Sequence, residues 1–188
     1  MGIFVNGHND AFVSYAHDDN TSANKIVDHF CMHLTSLLRV EARRQGHNGG
    51  SDVRIFQDVT GLARNGRVSN ELRKEVLRSE FLVIFVGQSY PSSYWCGQEL
   101  KAFAEKFGND RSAAIERTFI AVIEPEAMVP GWSDFLESPD PAITRDFFDK
   151  DTGETFEHIV VFRGKGEVGP LFHREVKEIA KAIVERAS

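Results

Sequence analysis

The sequence predicts an α/β fold built on a mainly parallel β-sheet. Short apolar or β-branched segments alternate along the chain with segments whose apolar residues recur at helical spacing. One strand-like segment, residues 81–86, is apolar at every position, as in a strand that is buried on both faces. Repeated alternation of this kind joins parallel strands through crossover helices. The strand-like segments are residues 10–15, 53–56, 81–86, 118–123 and 158–162.

Helical segments follow most of these strands. In the first helix, the polar residues Asn20, Thr21 and Ser22 are candidate N-caps, because their side chains can accept a hydrogen bond from the first turn. Ser93 is in the same way the candidate N-cap of the third helix. The apolar stripes of the helices lie within residues 26–38, 68–76, 96–107 and 172–183.

The length of 188 residues suits a single domain, residues 1–188, that buries its own core. Residues 124–157 interrupt the alternation, since they contain four prolines and an excess of acidic residues without clear periodicity. We therefore predict an irregular acidic insertion there, with a short helix near Phe147. A fifth strand at 158–162 and a final helix are expected to follow it.

For five parallel strands, the common arrangement is the flavodoxin-like doubly wound sheet, with strand order 2-1-3-4-5 and helices on both faces. Ligands in such sheets bind outside the carboxyl ends of the strands, where the strand order reverses. The order places that switch point between strands one and three. A site is therefore expected between the loop after Tyr15 and the loop after Val86.

Composition excludes several classes of function. The net charge of −6 argues against a general nucleic-acid binder or a binder of anionic membranes. The cysteines Cys31 and Cys96 form no paired motif, which is typical of a reducing compartment and offers no zinc site. The longest apolar run is far shorter than the roughly 20 residues of a membrane-spanning helix. We expect a soluble, cytoplasmic protein with no metal, no direct nucleic-acid partner and no membrane partner.

Three motifs are better explained without a special function. Residues 164–169 match GxGxxG, but no further strand follows to complete a dinucleotide-binding unit. Asp18 and Asp19 resemble the acidic pocket of a phospho-accepting receiver domain, but no aspartate stands at the end of strand three. His29 and His33 are four residues apart on a helix, but no convincing third ligand joins them.

The strongest constellation lies in residues 92–100, directly after strand three. Trp95 and Glu99 are separated by four residues, so they share one face of the first turns of the third helix. Glu99 is predicted at the edge of the buried stripe, near the helix N-terminus. The simpler interpretation is a first-turn carboxylate favoured by the helix dipole, with Trp95 as ordinary packing. The coincidence with the switch point favours a functional role.

The same segments resemble the Toll/interleukin-1 receptor (TIR) domain family. The resemblance is ordered along the chain: a first box, a second strand with its variable loop, and a third strand followed by a Trp-Cys-x-x-Glu-Leu signature. It covers about residues 10–107. The matching segments are residues 10–19, 55–58, 82–86 and 92–100.

The resemblance implies NAD+ glycohydrolase activity, because many bacterial and plant TIR domains cleave the nicotinamide–ribose bond. The family's catalytic glutamate falls on Glu99, and its tryptophan falls on Trp95, which would shape the wall of the site. Ser14 and Tyr15 would line the nicotinamide side, and Asp19 would belong to the adjoining loop. NAD+ would then be the substrate, with no separate cofactor. The product, ADP-ribose or a cyclic isomer, stays open.

A locally basic region follows the second strand in spite of the acidic total charge. Arg64 lies on the loop and is the candidate contact for a pyrophosphate, whereas Arg73, Lys74 and Arg78 are better explained as a solvated helix face. The loop lacks proline, which disfavours docking of the adaptor type. The resemblance also implies that the protein is activated by homotypic TIR self-association, in bacterial immune defence or as a virulence effector. The alternative is a non-catalytic TIR–TIR scaffold in signalling or virulence.

Overall fold

The computed structural model describes residues 8–20, 25–46, 53–58, 66–108, 110–124, 144–153 and 169–187. In this part of the chain, five strands form one sheet in the order β2-β1-β3-β4-β5. Every neighbouring pair is parallel. The predicted fold class and strand order are therefore confirmed. The strands are β1 (Asn9–Tyr15), β2 (Ile55–Gln57), β3 (Ser79–Val86), β4 (Thr118–Val122) and β5 (Thr144–Asp146).

Helices cover both faces of this sheet. The side chains of β1 alternate between two apolar layers, because successive residues of a strand point to opposite faces. Val13 packs in the layer that holds α1 and α5, whereas Phe12 packs in the layer that holds α2 and α3. The helices in the described residues are α1 (Ile26–Arg44), α2 (Gly66–Arg78), α3 (Tyr94–Lys106), α4 (Arg111–Glu116) and α5 (Pro170–Ala187).

The central strand β3 is buried as its composition predicts. Residues 81–86 are all buried, between the two helical layers. Each large apolar side chain buried in this way contributes roughly 1.5–3 kcal/mol. No helix among the described residues has the length and apolarity that crossing a membrane would need.

The start of α1 differs from the prediction. The helix begins at Ile26 with Lys25 at the N-cap position, so Asn20 is not the N-cap, and Thr21 and Ser22 lie outside the described residues. The Asn20 side chain nevertheless reaches the first turn, where its Oδ1 accepts a hydrogen bond from the amide of Val27 at 3.3 Å. Asn20 thus satisfies one of the free amides at the helix start from a position outside the helix.

The fifth strand also differs from the prediction. It is formed by Thr144–Asp146, which pairs with β4 inside the segment predicted to be irregular. The residue expected near a short helix, Phe147, instead follows this strand, and its amide donates to the carbonyl of Val122 at 2.7 Å. A three-residue edge strand is too short to show alternation in sequence. The segment predicted as strand five, residues 158–162, and most of 124–157 lie outside the described residues.

Candidate active site

Glu99 lies in the second turn of α3, where the sequence placed it. The Ser93 side chain accepts a hydrogen bond from the amide of Cys96 at 3.4 Å, which confirms the predicted N-cap. The helix buries Cys96 and Phe103 against the sheet. Glu99 is on the same side and is only 8% exposed, so its carboxyl is more deeply buried than a position at the edge of the stripe suggests.

Two hydroxyl groups connect this carboxyl to the central strands. The hydroxyl of Ser14, near the end of β1, donates a hydrogen bond to Glu99 Oε2. The Oγ of Ser14 lies 2.6 Å from the phenol oxygen of Tyr90. Tyr90 belongs to the short 3-10 turn after β3 and is 1% exposed. The end of β1 and the loop after β3 thus meet beside Glu99, at the switch point that the strand order predicts.

The environment favours the protonated form of Glu99. Burial raises the pKa of Glu99 to about 8, the hydrogen bond from Ser14 lowers it, and the negative charge of Asp58 raises it further. Burial is the largest of these effects, because a carboxylate loses its hydration when it is taken out of water. A carboxyl with its pKa near neutrality, in a cleft beside other polar groups, is typical of catalytic sites.

Glu99 and Trp95 line one groove between α2 and α3. The groove has a volume of about 240 Å³, and its wall also includes Tyr94, Arg73 and Lys101. Trp95 meets Tyr94 edge to face, with ring centroids 5.3 Å apart. Arg73 is paired with Glu105 at 2.7 Å across the groove. The structure therefore brings the predicted tryptophan and glutamate into one cleft with an aromatic and a charged side.

Tyr15 lies on the opposite face of the sheet from Ser14, because the two residues are consecutive in β1. Its ring packs in the layer of α1 and α5, and its hydroxyl donates to the carbonyl of Asp58 at 2.6 Å. Burial, followed by the charge of Asp58, raises the pKa of Tyr15 above its ordinary value. The side chain of Tyr15 thus holds the end of β2 and is not brought to Glu99.

Asp19 joins the loops that follow β1 and β3. Its Oδ1 accepts a hydrogen bond from the amide of Ser89 at 3.0 Å. Its Oδ2 is buried and has no hydrogen-bond partner among the described residues. A buried carboxylate oxygen without a donor is energetically costly.

Gly87 makes room for Asp19, and a larger residue there is expected to displace it. A Cβ atom at Gly87 would lie 2.5 Å from Asp19 Cγ, so Gly87→Ala should break the bond to Ser89 and cost about 1–3 kcal/mol. Urea unfolding measures the loss. Gly97→Ala is the matched control, because a Cβ there meets nothing within 4 Å and a helical alanine is favoured over glycine. Equal effects of the two variants would contradict the proposed crowding at Gly87.

The remaining candidates are placed as follows. Arg64 lies outside the described residues. His33 Nε2 lies 2.8 Å from His173 Nδ1, so this histidine joins α1 to α5. Within the described ranges, no group of three or more His, Cys, Asp or Glu side chains could hold a metal.

Tyr90 is the residue that sequence reasoning missed, although its position in the loop after the central strand could have indicated it.

Comparison with known proteins agrees with the resemblance in the sequence. A family model for the TIR domain matches residues 11–116, which is more than half of the chain. The chain belongs to the TIR domain family. The matched part of this TIR domain runs from β1 to α4 and contains Ser14, Tyr90, Trp95 and Glu99.

Among solved structures, this TIR domain is similar to the TIR domains described as "Structure of the activated Roq1 resistosome directly recognizing the pathogen effector XopQ". The identity is 19%, the alignment covers 95% of this chain and 83% of that chain, and the TM-score is 0.39. Comparison with curated protein sequences gives no match.

Proposed function

We propose that this TIR domain cleaves NAD+ at the bond between nicotinamide and ribose, with Glu99 as the catalytic residue. The observation that carries the proposal is the carboxyl of Glu99, which is 8% exposed, accepts a hydrogen bond from Ser14 near the end of β1, and lines a groove between α2 and α3 together with Trp95. A scaffold that only binds another TIR domain has no need of a buried carboxyl with a raised pKa at this place.

The chemistry requires a negative charge at one position. As the glycosidic bond breaks, its electron pair goes to nicotinamide, which leaves as a neutral molecule, and positive charge develops on the ribose. A carboxylate held against the ribose stabilises that charge, as in glycosidases. No general acid is needed, because the leaving group is already cationic. Water then adds to the ribose and releases a proton to give ADP-ribose, or a nucleophile of the same substrate adds to give a cyclic isomer.

Other residues would orient the substrate in this scheme. Trp95 would form an aromatic wall of the site, and Ser14 would orient the Glu99 carboxylate through its hydrogen bond. Asp19 would shape the adjoining loop, where its Oδ1 accepts a hydrogen bond from the amide of Ser89. Tyr15 would act at a distance, by holding the Asp58 carbonyl at the end of β2. Arg64 remains the candidate for the pyrophosphate.

The pH dependence of cleavage is a direct consequence of the Glu99 pKa. If the carboxylate is the active form, kcat/KM should rise about tenfold per pH unit below pH 8 and level off above it, because the free protein titrates near pH 8. Initial rates between pH 6 and 9 measure this, with Glu99→Gln as the control for spontaneous loss of NAD+. A profile that is flat over this range would contradict the assignment.

The function itself is tested by product analysis under forced association, since family enzymes act as assemblies. The domain is fused to an oligomerising scaffold, incubated with NAD+, and the products are separated by chromatography. Release of nicotinamide together with ADP-ribose or a cyclic isomer supports the proposal and identifies the product. Intact NAD+ in the assembled sample overturns it, and homotypic binding in that sample would favour the scaffold function.

The biological setting belongs to the same proposal. Self-association would switch on NAD+ consumption in bacterial defence, in a cytoplasmic protein. Cleavage by the assembled domain and silence of the dilute monomer are the expected results. Equal rates in both states would contradict regulation by association.

A further inference from the structure

Resting on the proposed function, we propose that Tyr90 and Ser14 are positioning residues that form a hydroxyl relay to Glu99. The relay connects the loop after β3, the end of β1 and the second turn of α3. It would aim the Glu99 carboxyl toward the groove and satisfy it in either of its protonation states. Neither hydroxyl is assigned a part in bond cleavage, since Tyr90 acts through Ser14.

The geometry of the three groups leaves little freedom. Tyr90 Oη lies 2.6 Å from Ser14 Oγ, and Ser14 Oγ in turn donates to Glu99 Oε2. Ser14 is 1% exposed and Tyr90 is 1% exposed, so water does not compete for these bonds. A serine hydroxyl has one proton. When Ser14 gives that proton to an ionised Glu99, Tyr90 is the donor in its bond with Ser14.

The direction of the chain depends on the charge of Glu99. With Glu99 ionised, protons point from Tyr90 to Ser14 and from Ser14 to the carboxylate. With Glu99 protonated, the carboxyl can donate to Ser14, Ser14 can donate to Tyr90, and the Tyr90 proton can turn to the sulfur of Cys96, with which its hydroxyl also forms a hydrogen bond. A chain of hydroxyls can reverse in this way without leaving a buried polar atom unpaired, which a single fixed donor could not do.

The charged and titratable groups around the relay either act on Glu99 through their charge or stay uncharged near neutrality. Asp58, at the end of β2, opposes ionisation of Glu99 through its negative charge. On α3, burial and then Glu99 raise the pKa of the Cys96 thiol to about 12, and Asp19 adds to the effect, so the thiol carries no charge near neutrality. Burial keeps the pKa of Tyr90 well above its ordinary value, so its phenol remains a donor.

Charged groups of the groove, and His17 after β1, complete these surroundings. Arg73 of α2 is paired with Glu105 of α3 at 2.7 Å, and Lys101 lies on the groove wall. His17 faces Asp58, with 3.6 Å between Nε2 and Oδ2. The hydrogen bond from Ser14 is thus the identified influence on Glu99 that favours the carboxylate, against burial and Asp58.

The relay is tested by the titration of Glu99 itself. In protein labelled with ¹³C at the glutamate carboxyls, the Glu99 signal is identified by its loss in Glu99→Gln, and its midpoint is followed by NMR. Ser14→Ala should raise the midpoint by about 1–2 pH units, because a hydrogen bond to a charged group is lost. Tyr90→Phe should raise it by about half a unit, because Ser14 becomes a weaker donor. In the double variant that combines Ser14→Ala with Tyr90→Phe, the midpoint should equal that of Ser14→Ala alone.

The matched control is Thr118→Val, which removes another buried hydroxyl bond, the one that Thr118 Oγ1 at the start of β4 donates to the carbonyl of Ala114 at 2.8 Å. It should destabilise the fold to a similar extent and leave the Glu99 midpoint unchanged. A purely structural role of Tyr90 predicts the same result for Tyr90→Phe. An unmoved midpoint in Tyr90→Phe therefore overturns the relay, and if that variant does not fold, an unmoved midpoint in Ser14→Ala does so.

Activity separates this proposal from the proposed function. In the assembled domain, the pH at which kcat/KM levels off should shift in Ser14→Ala and Tyr90→Phe by the same amount as the NMR midpoint of Glu99. KM should change little. Shifted midpoints without any cleavage by the assembled wild type would uphold the relay and overturn NAD+ cleavage. A different result would uphold the enzyme and overturn the relay: the wild type cleaves NAD+, but Ser14→Ala and Tyr90→Phe change neither the pH dependence of kcat/KM nor the NMR midpoint of Glu99.

Discussion

Glu99→Gln is expected to reduce NAD+ cleavage by roughly 100- to 1,000-fold or more and, at the same time, to stabilise the folded domain at alkaline pH. Activity falls because glutamine has no charge to offer the ribose. Stability rises because the buried amide has no charge to desolvate, whereas the wild-type carboxylate does. One substitution should thus move function and stability in opposite directions.

The pH range over which the wild type loses stability follows from the raised pKa of Glu99. The pKa of Glu99 is raised from 4.5 to about 8, so the folded protein keeps a proton that the unfolded chain has lost. Wild-type stability should therefore fall as the pH rises from about 4.5 to about 8, and the advantage of Glu99→Gln should grow to a few kcal/mol above pH 8. Urea unfolding at pH 5 and pH 8.5 measures the difference.

Glu41→Gln provides the matched control for both effects. Glu41 is also buried, with 6% exposure, but it lies on α1 and is paired with Arg44 at 3.0 Å. This variant should leave NAD+ cleavage unchanged and should not gain stability at alkaline pH, because the wild-type charge is compensated. A stability gap for Glu99→Gln that is the same at both pH values would contradict the raised pKa.

Phe147→Ala is expected to destabilise the domain by about 3–5 kcal/mol, the cost of removing a fully buried ring. Phe147 is 0% exposed and contacts three aromatic rings at centroid distances between 5.5 and 6.0 Å. The residues are Phe30 of α1, Phe85 of β3 and Phe172 of α5. The residue after β5 therefore joins three separate elements of the core.

The neighbouring residue is the control for this effect. Phe148 is only partly buried, so Phe148→Ala should cost clearly less than Phe147→Ala in the same thermal or urea unfolding experiment. Similar losses from both variants would show that the segment around β5 is not anchored through Phe147.

Local patterns account for most of the fold. The continuous apolar run at 81–86 predicted a strand buried on both faces, and the structure confirms it. The Ser93 N-cap and the stripe through Cys96 and Phe103 predicted α3 correctly. Such features depend on neighbours within a few residues, so the sequence displays them directly. The short edge strand β5 has too few residues to show a period, and its position depends on pairing with β4.

The sequence by itself determined the fold class and the strand order. It also predicted the edge of the sheet where a site would lie, with Glu99 and Trp95 as the leading candidates. Only the tertiary structure decided what surrounds the carboxyl. Ser14 reaches Glu99 from a position 85 residues before it, and Tyr90 reaches Ser14 from the loop after β3. Tyr15 turns to the opposite face. The burial that raises the Glu99 pKa is likewise a property of packed layers. Contacts between distant segments and the loss of water around a charge exist only after the chain has folded, so no local pattern encodes them.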